Sequence, residues 1–254
     1  MDNGTFVTAG LVLRETETKE SDKILTVLTP ELGRISVIAK GARSRRSKYT
    51  AACQLLAYDE MTLRRKGEWY YLAEASTIEL FDGVRQDIEK LALAAYFAEL
   101  TEAVCQDDAM AAADMLPLLL NALFALGMLE KPNRLVKTAF VWRLLAEAGF
   151  APLADGCAVC GTHNPKEPVF DAQQGVLLCK ECADHGGGGL LPLDAGSFAA
   201  MRHVLFSEPK RMLSFSLSGE TEKRFAAACE VFAQVQLDRR FKTLDFYKSM
   251  KIDN

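Results

Sequence analysis

Residues 23–39 read KILTVLTPELGRISVIA and decide the fold of the first third of the chain. Two runs rich in Ile, Leu, Val and Thr lie on either side of a segment that contains Pro30 and Gly33. β-Branched residues favour strands, whereas proline and glycine favour turns. The stretch therefore predicts two short strands joined by a turn.

The same pattern continues on both sides of this stretch. Short apolar and β-branched runs, each bounded by turn or charged residues, predict strands at residues 5–14, 23–29, 34–39, 55–65 and 69–78. Gly67 lies in the turn between the last two runs. Five short strands within the first 80 residues predict a small β-barrel of the OB type.

The apolar period becomes helical after residue 86. One stripe of a first helix is formed by Leu93, Phe97, Leu100 and Val104. Asp114 is predicted to cap a second helix that has Pro117 in its first turn, where proline is tolerated. Asn133 is predicted to cap a third helix, which ends at Gly149 because glycine favours the left-handed position after a helix.

Two further helices are predicted near the end of the chain, one that starts at Asp194 or Ser197 and one that starts at about Gly219. The predicted architecture is α+β and multidomain: an N-terminal OB-type β-barrel is followed by an all-helical domain that carries an inserted four-cysteine zinc module. The predicted parts are an OB-fold nucleic-acid-binding domain at 1–80, a helical domain at 81–150 and 191–254, and the zinc module at 151–190.

Composition bounds the class of protein. The 254 residues are 49% hydrophobic and 25% charged, as expected of a chain that buries a core. The net charge of −4 gives no general attraction to a polyanion, so any nucleic-acid function must come from local charge. The start does not resemble a secretory signal, and the apolar run at 115–126 is shorter than the ~20 residues of a membrane span. These features predict a cytoplasmic protein.

Four of the seven cysteines stand in pairs, as CAVC at 157–160 and CKEC at 179–182. Two C-x-x-C turns can supply four tetrahedral thiolates to one ion, which predicts a structural zinc site at Cys157, Cys160, Cys179 and Cys182. A closed set of four sulfurs leaves no position for an activated water. The alternatives are four unrelated cysteines or a redox pair. His163 and His185 are interpreted as bystanders.

A basic segment follows the third predicted strand, although the protein as a whole is acidic. No acidic residue lies between Glu31 and Asp59, and the six cations of this interval are Arg34, Lys40, Arg43, Arg45, Arg46 and Lys48. Arginine matches phosphate geometry, and a positive groove on an OB barrel is a common platform for single strands. The segment therefore predicts nucleic-acid binding; the alternative is a solvated charged face. The aromatic residues that could stack on bases, or fill the barrel instead, are Tyr49, Tyr58, Trp69, Tyr70 and Tyr71.

Residues 10–49, GLVLRETETKESDKILTVLTPELGRISVIAKGARSRRSKY, resemble the amino terminus of the RecO family of bacterial DNA repair proteins. The segment FVWRLLAEAGFAPLADGCAVCG stands where many members of that family carry a four-cysteine zinc module. The resemblance implies a recombination mediator at the nucleoid, which binds single- and double-stranded DNA and anneals complementary strands. It also implies RecR and the acidic C-terminal tail of the single-strand-binding protein as partners, and a functional link to RecA loading at gaps.

A site for that acidic tail needs positive charge beside apolar side chains. Arg134 and Lys137 lie three residues apart on the third predicted helix, next to the stripe of Val136 and Phe140, and are the predicted partner site. Two solvated surface cations are the alternative interpretation.

Catalysis is not expected from the sequence. The glycine run at 186–189 has no following lysine for a phosphate and is interpreted as a flexible linker. Asp107, Asp108 and Asp114 could be metal carboxylates of a nuclease, but acids at a helix junction are favoured by capping. The alternative function is a zinc-ribbon nucleic-acid-binding factor of transcription or translation. Such a factor is expected to carry cations around the ribbon, where residues 161–178 hold only Lys166.

Overall fold

The structure, a computed structural model, describes residues 4–105, 109–186 and 188–250. Asp107, Asp108 and Gly187, which were considered above, lie outside the described residues. The chain divides into two compact units, one formed by Met1–Leu129 with Phe241–Asn254 and the other by Glu130–Arg240. The finer division expected from the sequence stays a prediction.

The first unit contains a closed five-stranded barrel. Its strands are β1 (Thr5–Thr18), β2 (Asp22–Thr29), β3 (Gly33–Ala39), β4 (Tyr58–Lys66) and β5 (Trp69–Glu79). They close in the order β1-β2-β3-β5-β4, with β3 and β5 parallel and the other pairs antiparallel. The predicted OB-type barrel is thus confirmed. β1 is four residues longer than predicted because it pairs with β4 along its first half and with β2 along its second half.

Alternation along the strands explains the barrel. In β3, Ile35 and Val37 are buried inside, whereas Ser36 between them is exposed. Each fully buried aliphatic side chain contributes ~1.5–3 kcal/mol to folding. Gly10 in β1 is required by close packing, because a Cβ atom there would lie 2.6 Å from Cγ1 of Val27.

The long connection between β3 and β4, residues 40–57, is fixed to the barrel. Ala42, Cys53 and Ala57 belong to the buried barrel core. The Gly41 amide donates to the Asp22 carboxylate at 2.8 Å, and the Tyr49 hydroxyl donates to a backbone carbonyl of β5. The basic residues of this connection are therefore held on an ordered support.

Helices complete both units. Their bounds are α1 (Asp82–Arg85), α2 (Ile88–Val104), α3 (Ala109–Met128), α4 (Asn133–Leu145), α5 (Ala195–Phe206), α6 (Gly219–Leu237) and α7 (Lys242–Met250). In the first unit α2 packs on β1, and α3 packs on β2 and β3. Leu11, Leu13 and Leu28 are buried, although they alternate with the residues that fill the barrel. The outer face of these strands is thus largely covered.

The prediction for the start of α3 was wrong. Asp114 does not cap this helix, and Pro117 lies in its interior, because the preceding alanine-rich segment AMAAA has high helix propensity and extends the helix back to Ala109. Pro117 has no N–H for the Ala113 carbonyl, but the proline is exposed, where water can bind that carbonyl. By length and composition α3 could cross a membrane, yet half of it is buried within the protein, which is typical of a core helix.

The second unit combines helices with a small sheet that the sequence did not predict. The strands β6 (Pro168–Asp171), β7 (Val176–Cys179) and β8 (Leu190–Pro192) are ordered β7-β6-β8. Three buried rings join this sheet to the helices: Trp142 of α4 lies 5.4 Å from Phe170 of β6 and 5.2 Å from Phe232 of α6, measured between ring centroids. The cysteine segment is thus packed onto the helical body.

Two helix boundaries in the second unit agree with the sequence. Asp194 caps α5, and its carboxylate and the Ser197 hydroxyl form a reciprocal capping box. Gly149 lies in the turn Ala146–Phe150 that follows α4 and has φ of 90°, the left-handed conformation that glycine adopts most readily.

Candidate nucleic-acid interface and metal centre

The four paired cysteines meet in the second unit, as predicted. Cys179 is the last residue of β7, Cys182 lies in the 3₁₀ turn that follows, and Cys157 and Cys160 lie in a turn beside this strand. All four Sγ atoms lie within 4.8 Å of one another, and those of Cys160 and Cys179 are 3.8 Å apart. Four sulfurs at ~2.3 Å from a tetrahedral zinc ion are separated by about 3.8 Å. The spacing of this four-sulfur cluster therefore fits a metal ion.

Backbone groups prepare one of these thiols for ionisation. Burial raises the pKa of Cys157, but backbone N–H groups, including those of Cys160 and Cys179, outweigh burial and lower it to about 6. None of the seven cysteines forms a disulfide. His163 lies nearby with its Nδ1 atom 3.1 Å from the Asp155 carbonyl, and within the described part of the chain no histidine joins the cluster. The donor set is four sulfurs, which suits zinc or iron.

The six cations predicted to bind nucleic acid have different surroundings in the structure. Arg34 lies on β3, where its guanidinium donates to the Glu102 carbonyl at 2.7 Å. Arg43 forms an ion pair with Glu17 at 2.8 Å. Arg45 and Arg46 are exposed. Both lie in the fixed connection between β3 and β4.

The other two cations lie over tyrosine rings. The Lys40 ammonium is 5.4 Å from the centre of the Tyr71 ring, and the Lys48 ammonium is 5.0 Å from that of Tyr49. The adjacent Tyr49 side chain raises the pKa of Lys48 above its ordinary value.

A cationic cleft lies at the turn between β4 and β5, and we call it the hairpin cleft. Its volume is about 460 Å³, and its lining residues are Gly4, Thr5, Lys40, Arg64, Arg65, Lys66 and Tyr71. Four of these are cations, and none is acidic. Lys40 and Tyr71 were predicted as candidates from the sequence, but the run Arg-Arg-Lys at 64–66 was not. Its position beside Trp-Tyr-Tyr at 69–71 was the available signal.

The aromatic candidates have different roles. Tyr71 lines the hairpin cleft, and Trp69 at the end of the turn is 42% exposed. Tyr70 packs on the barrel core, with its ring edge-on to Phe6 at 5.8 Å. Tyr49 holds the basic connection onto β5, and Tyr58 begins β4 in a half-buried position.

A second cleft of about 390 Å³ lies beside β2 and β3, and we call it the strand cleft. Its charged lining residues are Arg14, Arg34, Glu68 and Glu102. Arg14 and Glu102 form an ion pair at 2.9 Å. Two cations and two acids compensate one another here, in contrast to the hairpin cleft.

The predicted partner residues lie on α4 and face α6. Arg134 forms an ion pair with Glu222 at 2.7 Å, and Lys137 forms one with Glu230. The Lys137 side chain is only 7% exposed. A partner's carboxylate would have to displace these glutamates, so the partner site stays a prediction.

Together, the closed barrel with its cationic cleft and the helical unit with its four-sulfur cluster define an OB-barrel protein with a second, helical unit that carries a candidate metal site. Comparison with known proteins gives the family. Residues 1–81 match the family described as Recombination protein O N terminal, and residues 85–245 match Recombination protein O C terminal. The chain belongs to this family, the RecO family of DNA repair proteins, as the resemblance predicted.

Individual relatives are similar over nearly their whole length. The DNA repair protein RecO of Acetivibrio thermocellus is 29% identical over 243 residues, which are 96% of each chain. The DNA repair protein RecO of Anaeromyxobacter dehalogenans is 32% identical over 240 residues, which are 93% of each chain. These matches favour the repair prediction over a zinc-ribbon factor of transcription or translation.

Proposed function

We propose that this protein is a non-enzymatic mediator of DNA repair and recombination. In this proposal it binds single- and double-stranded DNA, anneals complementary strands, and assists recombinase loading on gaps coated with single-strand-binding protein. The observation that carries the proposal is the hairpin cleft, where four cations and no acid gather on an OB barrel of an otherwise acidic protein. Such a surface gains binding free energy by releasing counterions from the DNA.

The basic connection between β3 and β4 is proposed as part of the same DNA-binding surface. Lys40 lies in both the connection and the cleft, which makes the two continuous. Arg45 and Arg46 are exposed, and within the described part of the chain their guanidinium groups form no ion pair with an acid. Because Arg34 and Arg43 already have partners in the protein, we assign them a smaller share of the binding.

The four-sulfur cluster is proposed to hold one structural zinc ion. Cys157, Cys160, Cys179 and Cys182 would hold it, and a bound ion would cross-link the two turns that carry them. With all four positions filled by sulfur, the ion has no site for water, so its proposed role is in folding.

RecR, the acidic tail of the single-strand-binding protein and RecA are proposed as functional partners on the basis of family membership. For the acidic tail, Arg134 and Lys137 remain the proposed contact. Binding there would exchange the ion pairs with Glu222 and Glu230 for pairs with the tail. The proposed place of action is the cytoplasmic nucleoid.

The test of the proposed function is annealing of two complementary fluorescent single strands by the purified protein without ATP. We expect faster annealing, and a binding constant for single strands that falls with salt at a logarithmic slope of about −0.7 per contacted phosphate. The charge reversal Arg45→Glu with Arg46→Glu should reduce both. The matched control is Lys223→Glu with Arg224→Glu on α6, which makes the same charge change in the other unit. Absence of binding and annealing at low salt would contradict the proposal.

A further inference from the structure

The strand register places two cations and two aromatic rings on one face of the β4–β5 hairpin. Arg64 is directly opposite Tyr71, and Lys66 is directly opposite Trp69. Directly opposed residues share a face, and residues two apart on one strand do so as well. Arg64, Lys66, Trp69 and Tyr71 therefore lie together on the outer face of the barrel.

The parallel pair of β3 and β5 adds a third cation to this face. Ile38 is the partner of Tyr71 in the register, and Lys40 follows two residues later, on the same side. The Lys40 ammonium lies over the Tyr71 ring. Tyr71 is thus surrounded by positive charge from two different segments of the chain.

The cations on this face lack anionic partners. Arg64 and Lys66 are exposed, and among the described residues neither side chain forms an ion pair or a hydrogen bond with the protein. Arg65 alternates with these two residues along β4 and also lines the cleft. Its side chain is engaged within the hairpin: its Nε donates to the Gly67 carbonyl at 3.2 Å, and its guanidinium lies 5.9 Å from the Tyr70 ring. Clustered cations repel one another, so an anionic ligand is favoured where Arg64, Lys66 and Lys40 meet.

The surface beside β2 and β3 is a poorer site for a strand. OB barrels commonly bind oligonucleotides on the face of their second and third strands. Here α2 and α3 pack on β1, β2 and β3, and the charges of the strand cleft are compensated. The cationic surface of the barrel therefore lies at the β4–β5 hairpin.

We propose that the hairpin cleft is a site selective for single-stranded DNA, in which Tyr71 stacks on an unpaired base and Lys40, Arg64 and Lys66 bind the flanking phosphates. The proposal deepens the proposed function and rests on it. The face of a base is available for stacking only in a strand that is not paired, whereas phosphates are available in both forms of DNA. The tyrosine therefore provides the selectivity, and the cations provide affinity for both forms.

The test compares the affinity of the full-length protein for a thymidine oligonucleotide and for a blunt duplex of the same length, by fluorescence anisotropy at fixed salt. Tyr71→Leu keeps apolar bulk and removes the aromatic face. We expect it to weaken single-strand binding about tenfold and duplex binding less than twofold, since stacking on one base is lost. Tyr71→Phe should retain the wild-type ratio of the two affinities. Tyr58→Leu, at the other end of β4, is the matched control and should leave both affinities unchanged.

The charge arm uses Arg64→Gln with Lys66→Gln. This change should weaken both forms of DNA and reduce the magnitude of the salt slope for single strands by about 1.4, which corresponds to two phosphates. Equal losses for single strands and duplex in Tyr71→Leu, or no loss in a variant whose melting temperature matches that of wild type, would overturn the inference. If wild-type protein binds and anneals DNA while all cleft variants behave like wild type, only this inference fails. If wild-type protein binds no DNA, the proposed function fails.

Discussion

The four-sulfur cluster and the hairpin cleft each bring like groups close together, but the cluster suits a bound cation and the cleft suits a bound anion. Each gathers four like groups, thiols within 4.8 Å of one another in the first and cations around a cleft of about 460 Å³ in the second. When the thiols are ionised, a bound cation would offset their mutual repulsion, and a bound anion would do the same for the cations of the cleft. The sulfurs can close around one ion and leave it no free position, whereas the cleft is open to solvent. A closed cluster stabilises a fold, and an open one can bind and release a ligand.

The largest expected effect comes from the closed cluster. Removal of one ligand by Cys157→Ser should destabilise the second unit by on the order of 5 kcal/mol, because metal-binding free energy at such a site is also folding free energy. Circular dichroism melting and metal analysis would show a lower melting temperature and loss of about one zinc equivalent. His163→Ala, beside the cluster, is the control and should retain the metal. A Cys157→Ser protein as stable as its parent would remove the structural role.

The next largest effect concerns the hairpin cleft, where charge reversal should weaken DNA binding and leave the stability of the protein nearly unchanged. Arg64→Glu with Lys66→Glu should weaken single-strand binding about 100-fold near 0.1 M salt, because two phosphate contacts become repulsive. Both side chains are exposed, so the melting temperature should change by only a few degrees. Measured together, the two variants separate the two roles: Cys157→Ser should reduce stability, and the charge reversal should reduce DNA binding. A large loss of stability in the charge-reversal variant would contradict the idea that the cleft residues act in binding and not in folding.

The smallest expected effect comes from the buried carboxyl group of Asp59. Asp59 is fully buried in β4, and among the described residues neither carboxylate oxygen has a hydrogen-bond partner. Burial raises the pKa of Asp59 from 3.8 to about 6, and the neighbouring Thr77 opposes part of that shift. The folded protein therefore binds this proton more tightly than the unfolded chain, and the group's contribution to stability is lost as pH rises through about 6.

Asp59→Asn should remove the decrease in stability that occurs as the pH rises through about 6. We expect a gain of roughly 1–2 kcal/mol in the free energy of unfolding at pH 7.5 and little difference at pH 4.5, where the wild-type carboxyl is protonated. Urea unfolding at the two pH values measures the difference. A variant that is destabilised equally at both pH values would show that Asp59 is not a source of strain in the barrel.

The parts of the molecule that the sequence predicted are those with local patterns. β-Branched runs and turn residues mark the strands of the barrel, and the C-x-x-C spacing marks the candidate metal ligands, because each pair lies within one turn. The hairpin cleft has no such local mark. Lys40 and residues 64–71 meet only because β3 pairs with β5, a contact between segments about 30 residues apart.

Two further differences between the sequence-based predictions and the structure also arise from contacts between residues that are distant in the chain. α7 has only nine residues, too few for a stable isolated helix, and it is held by distant contacts such as that of Thr243 with Glu99 on α2. Arg34 was grouped with the basic connection by its position in the sequence. The alternation of β3 instead places its guanidinium at the Glu102 carbonyl, 68 residues away in the chain.

We propose that the DNA-binding surface of the protein is the hairpin cleft and its adjoining basic connection. Photo-cross-linking tests it most directly, with a single-stranded oligonucleotide that contains 5-iodouracil and identification of the cross-linked peptides by mass spectrometry. We expect cross-links at Tyr71 or Trp69. Cross-links confined to Glu130–Arg240, with none in the barrel, would contradict it.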